Sequence, residues 1–153
     1  MLGAIGAKER LESNVVGDTA NLASRIESLT KIYGARLVIT EDTCTRLKDK
    51  SAYVLRELDN VVVKGRTEPV AIFEVLDADP PRLRDNKLSY NLRFRESVEQ
   101  YRRGSFREAR LGFMQCMLAD PDDGSASLYV DRCGDLSRNP PYYWDGITVL
   151  DRK

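Results

Sequence analysis

The spacing of apolar residues changes part-way along this chain. Up to about Leu76 short apolar runs alternate with helical patterns; from about Asp85 the helical period takes over. The first stretch reads as a strand end (Leu2 to Ile5), a loop (Gly6 to Arg10), a strand (Leu11 to Val16) and a helix (Asp18 to Tyr33). A strand (Arg36 to Thr40), a short helix (Glu41 to Leu47) and two strands (Tyr53 to Val63, Val70 to Leu76) follow. Asp18 suits the N-cap of the first helix and Gly34 its stop. Thr40 suits the N-cap of the next, with Thr43 as its third helical residue. Alternation falters around Asp59-Asn60, which predicts a bulge or bend there. The run Asp77-Ala78-Asp79-Pro80-Pro81 marks a boundary, dividing residues 1–78 from a helical extension and tail over 79–153.

In the extension, Leu88, Leu92, Val98 and Tyr101 predict one amphipathic helix ending at Gly104. Ser105-Phe106-Arg107-Glu108 has the form of a capping box. The helix it opens carries Ala109, Phe113, Cys116 and Met117 and stops at Asp120-Pro121. A third helix, Ser125 to Leu136, places Leu128, Tyr129, Cys133 and Leu136 on one stripe. Gly104, Ala109, Phe113 and Pro121 resemble the second half of a tetratricopeptide repeat. A lone repeat lacks the neighbours that stabilise an array, so it reads as a packing appendage, with a protein-docking surface as the other use. Asn139 to Asp145 reads as an extended segment laid on the surface.

Composition narrows the chemistry. The 153 residues include 24 Lys+Arg against 24 Asp+Glu, no His and three Cys, with 42% hydrophobic residues. Zero net charge gives no electrostatic case for nucleic acid. No apolar run nears the roughly 20 residues of a bilayer span, so no membrane contact is expected of this segment. Without His there is no Ser-His-Asp triad, Cys-His dyad or His-ligated zinc. Cys44, Cys116 and Cys133 are widely spaced and odd in number, which fits a reducing, cytoplasmic setting better than a disulfide framework or a metal site.

The run Val15-Val16-Gly17-Asp18-Thr19-Ala20-Asn21-Leu22-Ala23-Ser24-Arg25-Ile26-Glu27 carries the sharpest chemical signal. Asn21 and Arg25, four apart, fall on one helix face. Arg25 can offer a planar fork to phosphate oxygens and Asn21 can orient a hydroxyl or sugar oxygen; the spacing alone also fits a surface Arg and a first-turn Asn. This run, with Ser28-Leu29-Thr30, resembles the signature helix of class III adenylate/guanylate cyclases. Val63-Lys64-Gly65-Arg66 resembles that family's Val-Lys-Gly-Lys turn. Glu68-Pro69-Val70 and the strand Ala71 to Leu76 follow it, while Leu2-Gly3-Ala4-Ile5-Gly6 resembles the glycine-bearing strand end before the signature. The resemblance runs from about Met1 to Leu76 in family order.

The resemblance implies an α+β fold: a partial ferredoxin-like nucleotidyl cyclase domain, its C-terminal half only, with the helical extension appended. It implies conversion of a purine nucleoside triphosphate, ATP ahead of GTP, to the 3′,5′-cyclic monophosphate and pyrophosphate. Arg25 then meets charge on the α-phosphoryl oxygens, Asn21 positions the ribose, and Lys64 holds the terminal phosphates. Asn14 sits at a purine-reading position, where Asn is neither of the family's usual choices. The Mg²⁺ or Mn²⁺ ligands belong to the missing N-terminal half, so no metal residue is assigned and the chain is expected to be inactive alone. Asp18 and Asp59 are not read as substitutes. The family builds its sites at dimer interfaces, which implies a homodimer or pairing with another cyclase domain. A full-length parent could be membrane-anchored through the missing region. The contrasting reading is a non-catalytic interaction module using the tetratricopeptide-like helices. Because 76 residues of half-sheet bury too little apolar surface, either the helical part covers the sheet or another chain does.

Overall fold

The computed structural model describes residues 20–47, 49–63 and 65–150, with the side chains of 20–26 and 50 outside that set. The predicted strands at Leu2 to Ile5 and Leu11 to Val16 lie outside the described residues. Helix α1 (Ala20–Tyr33) leads through Gly34 to strand β1 (Val38–Thr40) and short helix α2 (Glu41–Arg46). The Thr40 hydroxyl accepts from the Thr43 N–H at 3.4 Å, as its N-cap position requires. Strands β2 (Leu55–Val63) and β3 (Val70–Val75) form an antiparallel hairpin, and β1 pairs antiparallel with β3.

The register of β2 against β3 slips between Glu57 and Asp59. The predicted irregularity is therefore a bulge, one residue earlier than the Asp59-Asn60 pair suggested. It turns Leu58 and Asp59 both inward, where each is fully buried.

The extension comprises α3 (Pro81–Ser89), α4 (Asn91–Arg102), α5 (Phe106–Ala119) and α6 (Gly124–Arg138), followed by strand β4 (Thr148–Leu150). The fold is α+β, with six helices and a four-stranded mixed sheet of order β1-β3-β2-β4 among the described residues. Three readings of the extension need correction. The single helix expected through Leu88 and Leu92 is broken at Tyr90 (φ −118°, ψ 18°). Its hydroxyl turns inward to donate to Asp123 at 2.6 Å, so the buried stripe is Tyr90, Phe94, Val98 and Tyr101 while Leu88 and Leu92 stay exposed. Ser105 stands at the N-cap of α5, but its hydroxyl makes no cap bond. The tight Gly104 turn (φ 84°) instead fixes Ser105 by its N–H, which donates to the Gln100 carbonyl at 2.8 Å.

The third correction concerns the tail, which does more than lie on the surface. The Trp144 indole N–H donates to the Tyr101 and Arg102 carbonyls at 3.0 and 3.1 Å, closing the C-terminal end of α4. That contact returns the chain so that β4 pairs parallel with β2, Val61 opposite Thr148. A two-residue apolar match in Ile147 to Leu150 carries too little period to announce a strand.

One hydrophobic cluster runs through both stretches. Leu29, Tyr33, Val38, Leu58, Val61 and Ile72 from the first join Phe94, Tyr101, Phe113, Ala126 and Tyr129 from the extension. Phe113 and Tyr129 stack with centroids 4.4 Å apart, and Phe94 and Tyr101 meet Tyr129 edge-on. The opposite sheet face carries a smaller cluster of Leu37, Ile39, Cys44 and Val75. Between the two covers expected for the sheet, the helical extension is the one seen. Residues 1–78 alone should therefore lose cooperative melting and aggregate; a sharply melting monomer in sedimentation and calorimetry would contradict this.

Candidate active-site helix and its anchoring

Asn21 and Arg25 lie in the first two turns of α1, four residues apart on one helical face; their side chains lie outside the described set. Asn14 and Lys64 also lie outside the described residues. The turn carrying Lys64 joins β2 to β3, with Gly65 at φ 85° and the Arg66 N–H donating to the Val63 carbonyl at 3.0 Å.

The other end of α1 is fixed by the extension. Gly34 follows Tyr33 at φ 62°, a conformation that strains a side chain. A Cβ on Gly34 would stand 2.9 Å from the Gly124 Cα, and one on Gly124 would stand 3.0 Å from the Gly34 Cα. Two glycines thus let α1 and α6 touch backbone to backbone. There the Ser125 hydroxyl donates to the Tyr33 carbonyl at 2.6 Å, satisfying an acceptor left free at the helix end.

The Tyr33 hydroxyl donates to buried Asp59 at 2.6 Å. Arg132 of α6 donates to the same carboxylate at 2.8 Å, and Thr148 of β4 at 3.3 Å. Its guanidinium lies 5.2 Å from the Tyr33 ring centroid. Asp59, read from sequence as a strand bend, is the hub joining α1, β2, α6 and β4. Burial, and then the Asp59 charge, raise the Tyr33 phenol far above its ordinary value.

A second buried network crosses from sheet to extension. Arg56, 2% exposed, donates to Glu74 at 2.6 Å and to Asp123 at 2.8 Å. Its guanidinium lies 4.1 Å from the Phe94 ring centroid. Lys87 donates to Glu74 at 2.7 Å and Asp79 at 3.0 Å. Asp123 also caps α6, accepting from the Ser125 and Ala126 N–H groups. Burial alone would raise its pKa, yet the Arg56 hydrogen bonds and charge hold it below the ordinary carboxylate value. For Arg56 burial works toward a lower value, and Glu74 and Asp123 outweigh it to give a raised one.

These carboxylates do not suit a divalent-metal site. Asp59, Glu74, Asp79 and Asp123 already face Arg or Lys partners, and those cations would repel a metal ion. Among the described residues no group of three or more Cys, Asp or Glu is placed to hold one. No described helix is long and apolar enough to cross a membrane.

Sequence reasoning missed both networks. Their one signal was the run of charges in Arg56-Glu57-Leu58-Asp59, in a segment otherwise read as a strand.

The chain is 34% identical over 134 residues to the terminal-differentiation specific adenylate cyclase of Dictyostelium discoideum. It is 43% identical over 76 residues to an adenylate cyclase of Anabaena cylindrica and 37% identical over 76 residues to adenylate cyclase 1 of Rhizobium meliloti. The chain is a relative of the adenylate cyclases. The three matches cover 87%, 49% and 50% of it, and fit a class III cyclase domain. It spans only 6%, 15% and 11% of those proteins' own lengths. A 134-residue match must run well into the helical extension, so the Dictyostelium protein shares part of that region too. No protein-family model matches the chain, and no solved structure matches it.

The ionisation state of this cyclase relative's core gives a pH prediction. Burial raises the phenols of Tyr33, Tyr90, Tyr101 and Tyr129, with Tyr101 pushed up to about 12. A group whose folded pKa is raised contributes stability that is intact below its unfolded value, here 10.0, and lost above it. Stability should therefore fall as pH rises from 10.0 through about 12, and phenolate absorbance should appear together with loss of helical circular dichroism. Full phenol ionisation with the helical signal intact would contradict this.

Proposed function

We propose that this chain is the C-terminal part of a class III nucleotidyl cyclase catalytic domain, with the helical extension over 79–153 attached to it. The similarity to three proteins named adenylate cyclase, at 34–43% identity, carries this reading. Those names favour ATP over GTP. The reaction is in-line attack of the substrate 3′-hydroxyl on the α-phosphorus: a new O–P bond forms, the bond to the pyrophosphate oxygen breaks, and the hydroxyl proton is released.

In this reading Arg25 donates to the α-phosphoryl oxygens as their charge grows, an interaction stronger in the transition state than before it. Asn21 orients the ribose, Lys64 holds the terminal phosphates, and Asn14 meets the purine edge through an amide that can donate and accept. Mg²⁺ or Mn²⁺, held by ligands outside this chain, would supply charge neutralisation and activation of the hydroxyl. A homodimer of a full-length parent, or pairing with another cyclase domain, would bring those ligands opposite Asn21 and Arg25. A cytoplasmic placement suits a triphosphate substrate. The stand-alone interaction module is the less favoured reading, because the cyclase similarity extends from the first half into the helices.

The isolated chain should form no cyclic nucleotide from ATP or GTP with Mn²⁺ above a no-enzyme control. Mixed with a cyclase whose metal residues are intact but whose Asn-Arg pair is disabled, it should restore turnover. Cyclic nucleotide from the chain alone would refute the first expectation, and no turnover in the mixture would refute the catalytic contribution.

A further inference from the structure

Helix α5 carries two apolar stripes, and the core uses one of them. Ala109, Phe113 and Cys116 face inward and are buried. Leu111, Met114 and Leu118 repeat at spacings of three and four on the outer side, 60%, 41% and 85% exposed. Arg107, four residues before Leu111, extends that outer face. A repeating apolar face of this kind is the pattern by which helices recognise helices.

Beside it, α5 and α6 enclose a hollow of about 380 Å³ lined by Arg107, Arg110, Leu111, Gly134, Ser137 and Arg138. Arg107 has no ion pair among the described residues, and Arg110 spends its Nε–H on the Val130 carbonyl at 3.3 Å. Arg138 pairs with Asp135, which with Asp131 lines the adjoining hollow. The Ser137 hydroxyl is buried and has no partner. A Cβ on Gly134 would come within 3.3 Å of the Arg110 Nε, so the glycine keeps the floor open. The hollow therefore gathers three guanidinium groups, that of Arg138 already paired with Asp135 beside it, and an unsatisfied hydroxyl.

We propose that α5 and α6 form a docking groove for an acidic amphipathic helix of a partner protein. Its apolar side covers Leu111, Met114 and Leu118, and a carboxylate enters the hollow to accept from Arg107, Arg110 and Ser137. The complementarity sets the occupant's charge. A free anion would leave the apolar stripe uncovered. A second copy docked two-fold on this face would bring two Arg-rich hollows into one interface, since such an interface uses one patch twice. The groove is independent of the catalytic assignments, and its test reads no turnover.

The test uses the full chain and two designed fluorescent peptides. Both carry Leu at three-four spacing; Glu flanks it in one and Lys in the other. In anisotropy titrations the Glu peptide should bind and the Lys peptide should bind at least about tenfold more weakly. The double variant R107E/R110E should invert that preference, and Leu118→Ser should weaken the Glu peptide about tenfold. All three sites are exposed, and circular dichroism confirms the fold of each variant. Four results would each overturn the proposal. They are no binding of the Glu peptide up to about 100 μM, a scale set by weak helix-groove contacts, equal binding of both peptides, peptide competition by chain dimerisation in sedimentation equilibrium, or loss of the peptide to anionic vesicles that bind the same face.

Discussion

Arg25→Ala should lower kcat about 10³-fold in the complemented enzyme while leaving KM nearly unchanged. The effect is that large because, in the proposed role, the guanidinium meets charge that exists mainly in the transition state. A thousandfold loss corresponds to about 4 kcal/mol of barrier, within reach of one planar donor fork in a site closed to water. Lys64→Ala should act in the other way, raising KM, because in its proposed role it meets phosphates charged before and after attack. Steady-state kinetics on the mixture with a metal-competent, Asn-Arg-disabled cyclase separates the two. A loss for Arg25→Ala confined to KM would reassign it to ground-state binding.

Arg56→Ala should destabilise the fold by about 3–5 kcal/mol, a large part of the 5–15 kcal/mol that a domain commonly has. The substitution leaves Glu74 and Asp123 facing each other's field inside the protein, with Lys87 beside Glu74 and only the Tyr90 hydroxyl and the Ser125 and Ala126 N–H groups beside Asp123. Arg56→Lys should rescue little, because one ammonium cannot reproduce a fork that meets Glu74 and Asp123 together. Urea denaturation measures the loss directly; a change below about 1 kcal/mol, typical of exposed pairs, would show that the network is not the clamp described. The same variant should loosen the extension from the sheet, since Asp123 begins α6 and that helix carries the Ser125 and Arg132 contacts to Tyr33.

The role proposed for Arg25 rests on the family resemblance, and only the helix face it shares with Asn21 is local. Asn21 and Arg25 share a face because a helix repeats every 3.6 residues, whatever surrounds it. The Thr40 cap and the disruption near Asp59 are local in the same sense, being set by side-chain reach and by strand alternation. The existence of α5 and α6 was also legible from their apolar period. The break at Tyr90 was not, because a phenol turned toward Asp123, 33 residues away, decided it.

By itself, then, the sequence determined the order of elements from α1 to β3, the existence of α5 and α6, the face shared by Asn21 and Arg25, and the kinship to cyclases carried by that helix and the Val63 to Arg66 turn. Only the tertiary structure decided that Asp59 joins four elements, that Arg56 and Lys87 bind the extension to the sheet, and that β4 pairs with β2. The physical reason is range. Periodicity and capping act within a few residues of chain, whereas a buried charge is tolerated only if partners distant in sequence surround it, and nothing in the local pattern names those partners.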